Sequence, residues 1–226
     1  MADSLPLFPL RAVLLPGANL PLHIFEPRYR QLTVDLVTGA LPERRFGVVA
    51  LRPSMEHEVT DLSQLRAIGC SANLRQAKRL PDGRFDIVTT GERRFRLLDL
   101  DTTSAPYLMA TVDWVPDTDQ PTTAADTVTL LAESARSAHR RYCHAAWDRD
   151  DWTEPEPDVE TCELAHALAA DCLLSLEDRQ RLLEETRPLH RLRMVGQLLN
   201  REAGILSTLR AVPAPPSEFS APISMN

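Results

Sequence analysis

The hydrophobic period of this chain switches near residue 117, and no other feature limits its fold as strongly. Before that point apolar residues come in short extended runs cut by Pro and Gly. Beyond it they recur every three or four positions, the spacing of a helix face. The first part therefore predicts a sheet and the second a helical bundle, an α+β chain.

The opening stretch sets the pattern of the first part. Leu7-Phe8-Pro9-Leu10 reads as a strand, Pro16-Gly17 as a turn and Leu20-Pro21-Leu22-His23-Ile24-Phe25 as a second extended piece. The reason is that Pro denies a helix its amide donor and Gly supplies turn geometry. Pro27 then occupies a first helical position, Tyr29, Leu32 and Leu36 fall on one face, and Gly39 follows the end, which predicts a three-turn helix. Further strands are expected at 46–51, 67–74, 85–90, 93–100 and 107–115, with a hairpin turn at Pro81-Asp82-Gly83 and a break at Gly91-Glu92. Six or so short strands with one interposed helix must cover their edges, so residues 1–116 are expected to form a small closed or half-closed β-barrel.

Residues 117–123 read as a polar linker, and 124–210 as the helical bundle. Val128, Leu131, Ala135, Ala138, Tyr142 and Ala145 mark a helix running to about Trp147, and Leu164, Leu168 and Cys172 mark one over 159–174. Ser175 with Asp178 resembles a capping box opening a helix over 176–187, and Leu189, Leu192, Val195 and Leu199 mark a last one after Pro188. Asp148 to Asp158 is an acidic, Pro-rich loop, Glu56 to Asp61 a second acidic loop, and 211–226 a Pro-rich tail expected to be disordered.

Composition excludes several chemistries. A formal charge of -7 disfavours a phosphate-tracking nucleic-acid binder, which needs many cations on one face. Lys78 is the only lysine and lies in no G-x-x-x-x-G-K-[ST] motif, so nucleotide cleavage of the P-loop kind is excluded. The N-terminus carries an acid and no apolar run, so a signal peptide is not expected. No apolar run approaches the roughly 20 residues of a membrane span. Cys70, Cys143, Cys162 and Cys172 are then expected to be reduced thiols in a cytoplasmic protein.

The ordered pieces carry a resemblance. Leu7-Phe8-Pro9-Leu10, Leu15-Pro16-Gly17 and Leu20 through Tyr29 are similar to the N-terminal domain of the ATP-dependent Lon proteases. So are Ile68-Gly69-Cys70-Ser71-Ala72, Asp82 through Ile87, Gly91 through Arg96, Leu189 through Leu192 and Leu198 through Glu202. The similarity spans roughly residues 5–205. It implies a PUA-like β-barrel followed by a helical bundle, the region that contacts and selects substrate polypeptides in full-length Lon enzymes. Those enzymes continue into an ATPase module and a Ser-Lys protease domain, and these 226 residues contain neither, so a stand-alone Lon-domain protein is expected.

Candidate residues follow from both readings. Glu26, Arg28 and Arg30 surround the start of the first helix, where they could anchor a peptide backbone. Alternatively, Glu26 complements the helix N-terminus and pairs with an arginine such as Arg94. Phe25 and Tyr29 lie beside them as core or contact residues, completing the substrate-binding set Phe25, Glu26, Arg28, Tyr29 and Arg94. His139 and Cys143, and Cys162 and His166, are i,i+4 pairs that four-coordinate zinc could use if their helices face each other. The pattern lacks a C-x-x-C knuckle, and buried Cys and His explain it as well.

No G-x-S-x-G motif or other nucleophile context is present, so no catalytic residue and no cofactor are expected. The expected function is a non-catalytic polypeptide-binding module, an adaptor or recruitment factor in protein quality control. Its partners would be unfolded or exposed polypeptide segments and a separate ATP-dependent protease, bound where barrel faces bundle. A stand-alone peptidase-like hydrolase is the alternative. RNA binding through Arg75, Lys78, Arg79, Arg84, Arg93, Arg94 and Arg96 follows only by fold analogy.

Overall fold

A computed structural model of the chain describes residues 3–41, 43–53, 59–118, 125–147 and 152–209. The expected tail over 211–226, most of the linker and parts of both acidic loops lie outside the described residues. Strands β1 (Asp3–Leu10) and β2 (Asn19–Ile24) lead into helix α1 (Pro27–Thr38), followed by β3 (Arg45–Ala50), a 3-10 turn (Leu62–Gln64), β4 (Ile68–Arg79), β5 (Phe85–Asp101) and β6 (Met109–Trp114). Helices α2 (Ala125–Ala146), α3 (Thr161–Ala169), α4 (Leu176–Glu184) and α5 (Pro188–Leu209) complete the chain.

The sheet is six-stranded in the order β2-β5-β4-β3-β1-β6. β6 pairs with β1 on one side and with Phe95–Asp101 of β5 on the other, so β1, β3, β4, β5 and β6 close into a ring. β2 lies outside that ring on Phe85–Thr90, and β1 and β3 run parallel while the other pairs are antiparallel. The α+β class and the order of barrel then bundle are as expected, with one strand appended to the closed ring.

Three local expectations are corrected. Gly91-Glu92 does not break the chain, because β5 runs through it as one 17-residue strand. Gly91 instead permits a close approach. Its N–H donates to the Ala18 carbonyl at 2.9 Å, its own carbonyl accepts from Gly17 at 2.9 Å, and a Cβ there would stand 2.2 Å from the Leu15 carbonyl oxygen. The second correction concerns the helix expected over 159–174, which stops at Ala169. The Arg179 guanidinium from α4 collects the carbonyls of Ala169 (3.3 Å), Ala170 (3.2 Å) and Cys172 (3.0 Å) at the helix end. α4 opens as read, with the Asp178 amide donating to Ser175 Oγ at 3.1 Å. It ends at Glu184 rather than 187, since the residues before Pro188 cannot stay helical easily.

Inside the ring, Phe95 is fully buried among Leu5, Leu7, Val49, Leu65, Leu97 and Val112. A larger apolar cluster continues without interruption from Phe8, Leu15, Tyr29 and Leu74 to Ala138, Tyr142, Leu168, Leu182 and Leu199. Barrel and bundle therefore share a core, and α1 is held against the barrel on the outside.

Candidate functional site

α1 is a helix with one buried stripe and one solvent-exposed outer face. Tyr29, Leu32, Thr33 and Leu36 form the stripe, and Tyr29 stacks on Phe8 with ring centroids 3.8 Å apart. Pro27 fills a first-turn position and Gly39 closes the helix at φ 79°, a left-handed conformation that Gly adopts without a steric cost. Off the stripe, Val34 is 37% and Val37 50% exposed, and Phe25, just before the helix, is 51% exposed. Three apolar side chains thus face water around one short element, where water-exposed apolar surface has no internal purpose.

Polar groups frame that surface. Glu26 is the N-cap residue but makes no side-chain capping bond; its carboxylate accepts from Arg28 Nε (3.0 Å) and Nη2 (2.8 Å), and the Arg28 guanidinium lies 4.8 Å from the Tyr29 ring centre. His23 stacks beside Phe25 and holds Asp86 at 2.7 Å. Asp35 accepts from Gln31 (2.7 Å) and from the Tyr107 hydroxyl (2.9 Å); burial and that bond push the Tyr107 phenol up to about 12.

Two shallow depressions flank the Pro27–Gln31 ridge. One, of about 500 Å³, is lined by Pro27, Arg28, Gln31, Asp35 and Pro106. The other, of about 460 Å³, lies between α1 and the β4–β5 turn and is lined by Arg30, Val34, Arg79, Gly83 and Phe85 together with Pro27 and Gln31. The arrangement offers apolar contact with cations at the rim.

The substrate-binding candidates divide accordingly. Phe25, Glu26 and Arg28 come together at the entry to α1. Tyr29 is beneath them at 4% exposure and takes the core place of its two alternatives, so it drops out of the contact set, whereas Phe25 is exposed. Arg94 is corrected as well. It does not pair with Glu26 but turns from β5 toward the bundle, 6% exposed, where it donates to the carbonyls of Glu185 (2.7 Å) and Leu183 (3.3 Å) and pairs with Asp117. Asp117, placed by the sequence in a linker, also receives both terminal nitrogens of Arg191 at 2.8 Å. Burial would raise the Asp117 carboxyl, but the Arg191 hydrogen bonds and the charges of Arg191 and Arg94 outweigh it and hold the carboxyl below its ordinary range.

The meeting of barrel and bundle is therefore a filled joint rather than the expected binding groove. Gln180 of α4 donates to the Ile68 carbonyl there at 3.0 Å, and Arg191 is 1% exposed. Arg191, Asp117, Val34 and Val37 were missed as site or joint residues by the sequence reading. Val34 and Val37 carried a signal, since they are apolar residues off the helix stripe.

The zinc candidates do not assemble. Cys143 Sγ lies 3.5 Å from His139 Nε2, but His166 points toward the Arg94, Asp117 and Arg191 joint while the Cys162 carbonyl accepts from Arg191. Among the described residues no three His, Cys, Asp or Glu side chains converge on a metal-sized point. Burial pushes the Cys143 thiol up to about 12, and does the same to Cys70, with Cys172 also raised. No helix among the described residues is long and apolar enough to cross a membrane.

A family model described as the ATP-dependent protease La (LON) substrate-binding domain matches residues 4–201. The Lon protease of Anaeromyxobacter dehalogenans (strain 2CP-C) is 30% identical over 213 residues, covering 89% of this chain and 24% of that protein. Lon protease 2 of Myxococcus xanthus has the same identity and coverage. The chain thus spans about a quarter of the length of these curated relatives. Among solved structures, a Lon N-terminal domain protein from Xanthomonas campestris superposes with a TM-score of 0.61 at 27% identity, over 85% of this chain and 96% of that one. The N-terminal domain of the Mycobacterium avium complex Lon protease does so with 0.62 at 18% identity, over 87% and 98%.

Proposed function

We propose, from the premise that this chain belongs to the ATP-dependent protease La (LON) substrate-binding domain family, that it binds exposed or unfolded polypeptide segments and performs no covalent chemistry of its own. In this reading it serves as an adaptor or recruitment factor in protein quality control, alongside a separate ATP-dependent protease. The relatives it resembles are Lon proteases.

The observation that carries the reading is the outer side of α1, where Phe25, Val34 and Val37 stand exposed and two shallow depressions flank Pro27 and Gln31, Val34 lining one of them. Unfolded polypeptides expose apolar side chains and backbone along their length, so a shallow apolar surface with a charged rim suits them better than a deep pocket would. The non-catalytic part is supported by the thiols: Cys70, Cys143 and Cys172 are buried, and the His139–Cys143 contact lies inside the bundle.

Crosslinking and anisotropy with casein as an unfolded substrate test both parts. Binding that weakens on Phe25→Ser combined with Val34→Ser supports the reading, whereas binding no stronger than that of an unrelated acidic protein sinks it. Casein cleavage without ATP, lost on replacing one Ser or Cys, would make the chain a hydrolase instead.

A further inference from the structure

β4 outruns its neighbour. β3 covers it only as far as the pairing of Arg45 with Asn73, and the last bond on that side is from the Leu74 amide to the Arg44 carbonyl, 2.8 Å. From Arg75 to Arg79 the strand is exposed, still paired with β5 on one side and with no strand among the described residues on the other. This is a free sheet edge beside the α1 surface.

The direction of its backbone groups follows from the turn. The Leu80 amide donates to the Arg84 carbonyl at 2.8 Å, which makes residues 80 and 84 a hydrogen-bonded pair. The register continues as Arg79–Phe85, Lys78–Asp86, Ala77–Ile87 and Gln76–Val88. Bonded and non-bonded pairs alternate in an antiparallel ladder, so Lys78 and Gln76 bond to β5 while the N–H and C=O of Ala77 and Arg79 point away from it. An outward donor and acceptor two residues apart are what an added strand requires. Ala77, the first of them, has too small a side chain to obstruct it.

The charge at this edge selects a partner. Arg79 and Lys78 make no ion pair among the described residues, and neither does Arg30, whose guanidinium rests on the turn at Gly83. Arg79 and Arg30 line one depression on a chain whose formal charge is -7, while Lys78 lies on the opposite face of the strand, across from Asp86. A second copy of the same edge would bring like charges face to face, which disfavours self-pairing. Arg79 also lines the depression with Val34, Pro27 and Phe85, so alternate side chains of an added strand would meet an apolar floor with a cationic rim.

We propose that the β4 edge from Gln76 to Arg79 captures an extended, carboxylate-bearing polypeptide segment as an added strand. This rests on the polypeptide-binding reading and specifies the conformation and charge of what is bound.

The test uses the full chain and short fluorescein-labelled peptides: one of alternating valine and glutamate, its valine–lysine counterpart, and the valine–glutamate peptide N-methylated at alternate amides. The valine–glutamate peptide is expected to bind, and both others to bind at least about tenfold more weakly, the scale of one or two lost hydrogen bonds or charge contacts. Ala77→Pro deletes an outward amide that β5 does not use and should abolish binding. Lys78→Glu with Arg79→Glu should reverse the preference between the two charged peptides, which keeps the test decisive if the proline variant fails to fold by circular dichroism. Equal binding of the N-methylated peptide, or of both charged peptides, overturns the proposal. If casein still binds wild type and these variants alike while the valine–glutamate peptide does not bind, strand capture falls and the general reading stands. If casein binding is absent from wild type and none of the peptides binds, both fall. A wild-type dimer in light scattering that Ala77→Pro converts to monomer would assign the edge to self-association and also overturn it.

Discussion

The Arg191 guanidinium closes on both carboxylate oxygens of Asp117 at 2.8 Å, although 74 residues separate them. It ties α5 to the segment leaving β6, and Arg94 from β5 shares the same carboxylate. The Glu185 carbonyl accepts from Arg94 and Arg191 alike, both at 2.7 Å. One acid and the carbonyls of Glu185, Leu183 and Cys162 thus hold two buried guanidiniums, and barrel, linker and bundle meet at this point.

Removing that acid leaves two buried cations without their counter-charge. Asp117→Asn is expected to lower stability by roughly 3 kcal/mol, since breaking one side of a buried ion pair costs far more than the pair itself contributes. A urea titration measures it, and a double-mutant cycle with Arg191→Met should show strong non-additivity.

Acid should weaken the same joint from inside. His166 is held down to about 3 by burial, with the charges of Arg191 and Arg94 adding to it, while a ring nitrogen donates to the Leu182 carbonyl. The unfolded chain takes up a proton at this histidine below about 6.5 and the folded chain does not until about 3, so stability falls with pH across that window. The slope is at most roughly 1.4 kcal/mol per pH unit. Asp117 and Glu185, both held low, add stability above the ordinary carboxylate range that is lost as pH drops further, through their folded values. Urea midpoints of His166→Gln should therefore stay flatter than wild type between pH 6.5 and 4.

Two glycine substitutions should act in opposite directions. Gly91→Ala places a methyl 2.2 Å from the Leu15 carbonyl oxygen, a backbone atom that cannot swing aside, and should cost roughly 2–4 kcal/mol. Gly204→Ala, within α5 and with nothing within 4 Å of the new methyl, should stabilise by up to about 1 kcal/mol. Thermal midpoints compare them directly.

Thiol labelling reports on the bundle. Cys70, Cys143 and Cys172 are buried and Cys162 is half-buried, all with thiols pushed up, burial being the main cause. A thiol-reactive disulfide reagent at neutral pH should modify at most Cys162, slowly, in the folded chain and all four cysteines in denaturant. Fast native labelling at Cys143 would contradict the packing of α2 described above.

Phe25→Ser and Val37→Ser remove exposed apolar groups that touch little of the core. Each is expected to leave the unfolding free energy from urea titration within about 0.5 kcal/mol of wild type, so that any loss of polypeptide binding reports on the surface itself.

Much of this architecture was legible in the residues because near neighbours decide it. Pro27 and Gly39 delimit α1, Gly83 turns the hairpin, Ser175 opens α4, and the change from extended runs to a helical period near residue 117 separates barrel from bundle. Each signal acts through local backbone conformation. The substrate-binding set was legible only in part, for Phe25, Glu26 and Arg28, because sequence adjacency places them at one helix entrance but says nothing about which neighbours are covered. Tertiary packing alone decided that Tyr29 lies under Phe8, that Gly91 lets a turn press on β5 instead of ending it, and that Arg94 serves the joint with Asp117 and Arg191. The physical reason is range: a backbone preference is settled within a few residues, whereas the partner of a buried charge is whichever group the fold brings within about 3 Å of it.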